Sequence, residues 1–291
     1  MPTPTVRIRS DSFAPTQASQ SVLCLEVGRD RFRFMVQDRR QRGCWLEDYT
    51  FPTLLTERMP TDVLADIVRT HPILTAGPWQ EIRVAINSPS FTLIPQPLFR
   101  KEYAGSYLEL MRGTALPAHE FAQAYAHPAE GYLSVFNMSH TVADYFSEVY
   151  PLQPVTFIHQ VGALLTATAA LPATSAPETA ISLYFEDEFV TAIGRRAGAL
   201  QYCNRFGYKN AHDLVYYLLY VLTELQLDLD TTPISLYGEI TPFADAYTEL
   251  SRFLPTLQFG QRPAALALTH EFNDLPDHRY LSLYGLCLMG D

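Results

Sequence analysis

The sequence predicts an α/β protein made of two halves with one order of elements, β-β-β-α-β-α-β-α, set around a hinge. Three observations predict it. The same succession of strand-like and helix-like patterns occurs on both sides of a break at residues 171–180, LPATSAPETA, where two prolines and small residues interrupt patterned sequence. The length of 291 residues suits two domains of ordinary size. Hydrophobic residues make up 47% against 18% charged, which is enough apolar material for a core in each half. Residues 1–20 read as a flexible tail outside this plan.

The first half is expected over 21–170. SVLCLEV (21–27), RFRFMVQ (31–37) and CWLEDYTF (44–51) are rich in β-forming residues and separated by short polar turns, which predicts a three-strand meander. A helix follows: Thr61 can cap it, Asp62 suits its positive end, and Val63, Leu64, Ile67 and Val68 share one face. IRVAI (82–86) is a buried strand. After a segment at about 88–130 that has no counterpart and reads as an insertion, YLSVF (132–136), a helix near 141–149, PVTFI and a helix from 159 to 170 close this half.

The second half, 181–291, repeats the order. ISLYF (181–185), EFVTAIG (188–194) and ALQYCNRF (199–206) form the meander, and Asn210 with Asp213 at capping-box spacing starts a helix striped by Leu214, Leu218, Val221, Leu222 and Leu225. ISLYG (234–238) is the buried strand. A helix near 242–253, a short strand at Leu257–Phe259 and an apolar helix near 279–289 complete it.

Charge and composition exclude several classes. A net charge of −10 opposes broad contact with nucleic-acid phosphate or anionic lipid. No run approaches the roughly 20 apolar residues of a membrane span, and the start of the chain lacks the form of a signal peptide, so a cytoplasmic protein without membrane insertion is expected. Cys24, Cys44, Cys203 and Cys287 form no CxxC pair and read as buried, reduced thiols. His119-Glu120 and His270-Glu271 lack the second histidine of HExxH, and neither a GxSxG elbow nor a Walker or dinucleotide glycine pattern occurs. No catalytic residue and no metal ligand is predicted.

Two local features need a reading. Arg29, Arg31 and Arg33 alternate along one strand, with Arg39, Arg40 and Arg42 in the next turn, a basic hairpin in an acidic chain. It is a candidate site for phosphate, RNA or an acidic partner; a solvated outer strand face that discourages edge pairing is the simpler reading. Tyr216, Tyr217 and Tyr220 lie on a helix full of leucine and valine, where packing into the core is the expected role and an exposed patch would indicate a partner surface.

Three antiparallel strands, a helix and a strand, twice around a hinge, resemble the actin, Hsp70 and sugar-kinase superfamily with its ribonuclease H-like halves. PLQPVTFIHQVGALLTATAA (151–170) looks like the strand and connecting helix of the bacterial cell-division and pilus-assembly actin-like proteins. NRFGYKNAHDLVYYLLYVL (204–222) and PISLYGEI (233–240) resemble a bacterial family of unknown function with an actin-like ATPase fold.

The resemblance implies ATP and magnesium as the ligands to look for, held by two hairpins bearing Asp-x-Gly. Here the first hairpin has Glu26-Val27-Gly28, and the second has Tyr184-Phe185-Glu186, or Glu186-Asp187-Glu188 in the shifted register. A Gly-Gly loop on the adenosine side is reduced to Gly238-Glu239, and the connecting segment has His159 or Gln160 where the superfamily often has a carboxylate. Carboxylates without glycine repel a triphosphate. The expectation is therefore an interaction or scaffold protein with a degenerate nucleotide site at Glu26, Gly28, Gly238 and Glu239, its partner another protein or a second copy. The alternative is a nucleotide-dependent ATPase or switch using the cleft between the halves; the third is a nucleic-acid-associated module using the arginine hairpin.

Overall fold

The structure is a computed structural model that describes residues 3–51, 60–172, 179–186 and 189–290. The chain separates into two compact units: Met1–Ala163 with Leu266–Asp274 and Leu286–Asp291, and Leu164–Ala265 with Leu275–Gly285.

In the first unit, strands β1 (Val6–Arg9), β2 (Val22–Val27), β3 (Arg31–Gln37) and β4 (Arg42–Thr50) precede helix α1 (Pro60–Val68) and strand β5 (Glu81–Ile86). The order β1-β4-β3-β2-β5-β9 includes β9 (Val155–His159), and β2, β5 and β9 run parallel. Both faces of β2, β3 and β5 are covered, so nearly every residue of the three strands is buried, and β2, VLCLEV, is close to a continuous apolar run. One face, with Leu23, Leu25, Phe34, Val36, Ile82 and Val84, packs on α1 residues Val63, Leu64 and Ile67 and on Phe146 of α3 (His140–Val149).

The first 20 residues do not form the expected tail. β1 pairs with β4 from Val6↔Asp48 to Arg9↔Trp45, Arg7 Nε donates to Glu47 at 2.9 Å, and Phe13 and Ala18 are buried around a 3₁₀ turn at Pro15–Gln20. Pairing with a distant strand, invisible to local composition, orders the segment.

Between β5 and α3 the chain forms a second small sheet, β6-β8-β7, from β6 (Phe91–Pro95), β7 (Glu120–His127) and β8 (Tyr132–Ser139), with α2 (Ala104–Arg112) between β6 and β7 in the chain. The insertion is thus longer than expected: YLSVF, read as part of the half itself, is the central strand of the inserted sheet, bonded to β6 and β7 on its two sides.

His127 ends β7 with 7% exposure, its ring 4.9 Å from that of Tyr132 and 5.1 Å from that of Tyr125, with Nε2 3.1 Å from Ser134 Oγ. Burial lowers its pKa to about 4 from the ordinary 6.5. The unfolded chain takes up this proton first, so the stability His127 confers is complete above pH 6.5 and is lost as pH falls through about 4. At about 1.4 kcal/mol per pH unit, roughly 2 kcal/mol is gone by pH 5. Urea unfolding at pH 7 and pH 5 is expected to show this loss in the natural protein and a smaller one in His127→Gln; equal losses in both would refute the assignment.

The second unit begins in helix α4 (Gln160–Ala169), at Leu164, so the division lies inside a continuous helix and not in the compositional break at 171–180. Most of that expected linker, 173–178, lies outside the described residues. Strands β10 (Thr179–Phe185), β11 (Phe189–Arg196) and β12 (Ala199–Gly207), helix α5 (Ala211–Glu224), β13 (Ile234–Gly238), α6 (Asp245–Ser251) and β14 (Leu257–Phe259) follow. Their sheet order, β12-β11-β10-β13-β14, repeats β4-β3-β2-β5-β9. Asn210 caps α5 by accepting the Asp213 N–H at 2.9 Å, and Leu214, Leu218 and Leu222 bury against Ile181, Leu183 and Leu236. Full burial of each such leucine contributes about 1.5–3 kcal/mol. The chain ends with β15 (Ala267–Leu268), which pairs with β4, and α7 (Leu281–Leu288), whose last carbonyls, Leu286 and Cys287, accept from Arg83 Nη1 at 2.7 and 3.2 Å.

Cys24, Cys44 and Cys287 are buried, as the sequence suggests, and Cys203 is half-buried. Among the described residues no helix is long and apolar enough to cross a membrane.

Candidate functional site

The hydrogen bonds at the two hairpins align the halves residue by residue. Gly28 N–H donates to Arg31 O and Asn87 N–H to Val27 O; Glu186 N–H donates to Phe189 O and Glu239 N–H to Phe185 O, all at 2.9 Å. Val27 faces Ile86 across β2 and β5 as Phe185 faces Gly238 across β10 and β13. Glu26-Val27-Gly28 therefore corresponds to Tyr184-Phe185-Glu186, the aligned register of the two considered from sequence. Asp187 and Glu188, which the shifted register requires, lie outside the described residues.

In the first unit Glu26 stands opposite Arg33, and Arg33 opposite Asp48, across β2, β3 and β4. Arg33 Nη1 is 3.3 Å from Glu26 Oε1 and its Nε 3.2 Å from Asp48 Oδ1, with the three residues 4%, 1% and 0% exposed. One guanidinium between two carboxylates is a buried ionic row, in which each charge needs its neighbour. This corrects the reading of Arg29, Arg31 and Arg33 as a basic patch or solvated strand: β3 is an interior strand of the sheet, and Arg33 is among its most buried side chains. Arg29 is exposed in the turn and Arg31 half-buried at the start of β3. Gly28 lies two residues after Glu26 in the chain; a Cβ there would come 3.3 Å from Arg31 O, a tight fit.

In the second unit, Tyr184 fills the place of Glu26, 1% exposed, its hydroxyl 3.0 Å from Ser282 Oγ. Glu186 fills the place of Gly28, with Oε2 4.0 Å from Arg205 Nη2. Gly238 has φ +83°, and a Cβ would fall 2.2 Å from Phe185 O; its N–H donates to His278 O. Only glycine allows β10 and β13 to close at this point. Glu239 faces Arg279, which approaches both of its carboxylate oxygens at 3.4 Å. His278 donates from Nε2 to Ile240 O, and burial lowers its pKa.

These residues do not fit a magnesium nucleotide. The Glu26 carboxylate, which would act through metal-bound water, is engaged by a buried guanidinium; the Gly28 and Gly238 N–H groups, which would meet phosphate, close a hairpin and meet His278 O. A tyrosine and a carboxylate stand where the second loop would need its acid and glycine. His159 is fully buried, stacked on Phe91 at 4.6 Å with Nε2 donating to Ser88 O, and Gln160 is fully buried beside it. Among the described residues no three histidines, cysteines or acids gather as a metal site.

The face of α5 is the second correction. Tyr216, Tyr217 and Tyr220 are 68%, 39% and 58% exposed. The leucine stripe already fills the sheet-facing side of the helix, and these tyrosines fall on the opposite side. The Tyr217 ring stacks on Phe206 of β12 at 6.1 Å, which joins the tyrosines to an edge strand nine residues long. Among the described residues β12 pairs with β11 alone. The sequence carried the signal: three tyrosines out of phase with the leucine stripe.

Comparison with known proteins places the chain in the class of actin-like folds. A protein from Bacteroides thetaiotaomicron with an actin-like ATPase fold and unknown function shares 16% identity over 94% of this chain and 98% of its own, with a TM-score of 0.76. The type IV pilus biogenesis complex PilM–PilN matches at 14% identity, 92% and 97% coverage and a TM-score of 0.65. Residues 10–257 match the family described as protein of unknown function DUF3822, and the chain belongs to that family. No curated protein matches it.

Proposed function

We propose that this protein acts by holding another protein, and that it does not turn over ATP. The exposed tyrosine face of α5, continuous with the open edge of β12, carries the reading. Tyrosine offers large, rigid contact area with a polar tip and is enriched at interfaces. The occupant is an extended segment that adds a strand to β12 and lays apolar side chains on Tyr216, Tyr217 and Tyr220, a common mode of peptide capture. The misfit of the hairpins to phosphate supports the second part, and the solution of PilM, of the same fold, as a complex with PilN is in keeping with the first.

A photo-crosslinking residue at position 216, in cells, is expected to give one identifiable protein adduct that is missing when the same residue stands at exposed Leu152. Tyr216→Ala/Tyr220→Ala should lose that partner while its unfolding free energy stays within about 0.5 kcal/mol per site. No adduct beyond the Leu152 control, or an adduct with a second copy alone, sinks the reading. Calorimetry with magnesium-ATP tests the second part: binding or turnover abolished by Glu26→Gln would replace it with a nucleotide switch.

A further inference from the structure

At the end of the first sheet opposite the Gly28 hairpin, the β3–β4 turn meets the 3₁₀ turn Pro15–Gln20 around a cavity of about 190 Å³. Its wall includes Arg39, Arg40, Arg42, Asp38, Gln17 and Gln20. The turn is rigidly built. Asp38 Oδ1 accepts the N–H groups of Arg40 and Arg42 at 2.8 and 3.0 Å, Asp38 O accepts the Gln41 N–H at 2.8 Å, and Gln41 takes φ 59°. Arg42 neutralises Asp38, with Nη2 2.8 Å from Oδ2. Burial would raise the Asp38 pKa, but the bonds from Arg42 and Arg40 outweigh it and hold the carboxylate ionised.

What remains is cationic. Arg39 and Arg40 are exposed side chains that make no ion pair or side-chain hydrogen bond among the described residues. Gln17 uses its carboxamide oxygen on the Ala14 N–H at 3.1 Å, so toward a ligand it can offer its N–H₂. Two guanidinium groups on a preorganised turn, beside an amide donor, match the oxygen geometry of phosphate. The cavity is below the roughly 300–1,000 Å³ of sites for drug-sized ligands, so a whole nucleotide is too large. We propose that this cavity binds a compact phosphate group, free or as a phosphomonoester, through Arg39 and Arg40.

The test is calorimetric titration of the full chain at low salt with inorganic phosphate and, in a second arm, with glycerol phosphate. Arg39→Gln/Arg40→Gln is expected to bind about tenfold or more weakly, the loss of two charge-assisted contacts. Arg29→Gln, at the other end of β3, should bind as the natural protein does, and circular dichroism melting of each variant checks the fold. Tighter binding of glycerol phosphate identifies a phosphomonoester as ligand; equal binding identifies the free anion. No binding of either by the natural protein at about 20 mM, a Kd too weak to matter, overturns the proposal. So does equal binding by the double variant.

Discussion

Replacing Arg33 by methionine is expected to cost about 3–5 kcal/mol of unfolding free energy, because Glu26 and Asp48 would then face each other across the sheet without the guanidinium between them. Burial makes the effect large: with 4% and 0% exposure, neither carboxylate reaches bulk water in the folded chain. Methionine keeps the apolar length of the side chain, so the loss reports charge more than packing. Neutralising the whole row, with Glu26→Gln, Arg33→Met and Asp48→Asn together, should recover most of the stability, since an unpaired buried charge costs more than a missing pair. Urea unfolding of the single and triple variants decides it. A single variant as stable as the natural protein would mean that the two acids are hydrated or protonated at no cost, and Glu26 would again be available for other chemistry.

Gly238→Ala should lose about 2–5 kcal/mol. Placing an alanine at φ +83° costs about 1–2 kcal/mol, and forcing its Cβ, otherwise 2.2 Å from Phe185 O, into a closed backbone junction adds about 1–3 kcal/mol. Gly198, at φ +81° with nothing within 4 Å of its Cβ position, isolates the first contribution. Gly198→Ala is therefore expected to be the milder of the two in the same denaturation experiment. Equal losses would show that Phe185 yields freely and that Gly238 is kept for its φ alone.

Much of the architecture was legible because each element declares itself locally. The apolar runs of β2, β5, β10 and β13, the capped stripe of α5 and the repeated order of elements predict the duplicated fold, and the shared sheet order bears it out. What escaped depends on partners distant in the chain. Arg33 reads as a surface charge because its neighbours alternate with it; only the register of β2, β3 and β4 sets it between two acids. β1 has four residues and too little pattern to stand alone, and Arg7 finds Glu47 only after pairing. YLSVF looks like any buried strand, and nothing in its composition says which sheet receives it. At the hairpins the departures from Asp-x-Gly were visible in the letters, while the choice between two registers needed the backbone hydrogen bonds.

The return of the chain's far end to the first unit bears on the order in which the molecule can be completed. β15 pairs Ala267 with Arg42, and the carbonyls of Leu286 and Cys287 reach Arg83, contacts more than 200 residues apart in sequence. All strands of the second unit's sheet lie between Thr179 and Phe259, so that sheet can close with segments near in sequence. On a ribosome the first unit is thus begun first and finished last. Until residues beyond 266 emerge, the outer side of β4 at Arg42 and Gly43 and the acceptor carbonyls for Arg83 are missing. Long-range closure of this kind is slow and leaves strand edges exposed in the interval, so the first unit stays vulnerable from the emergence of β4 until the residues of β15 and α7 reach it.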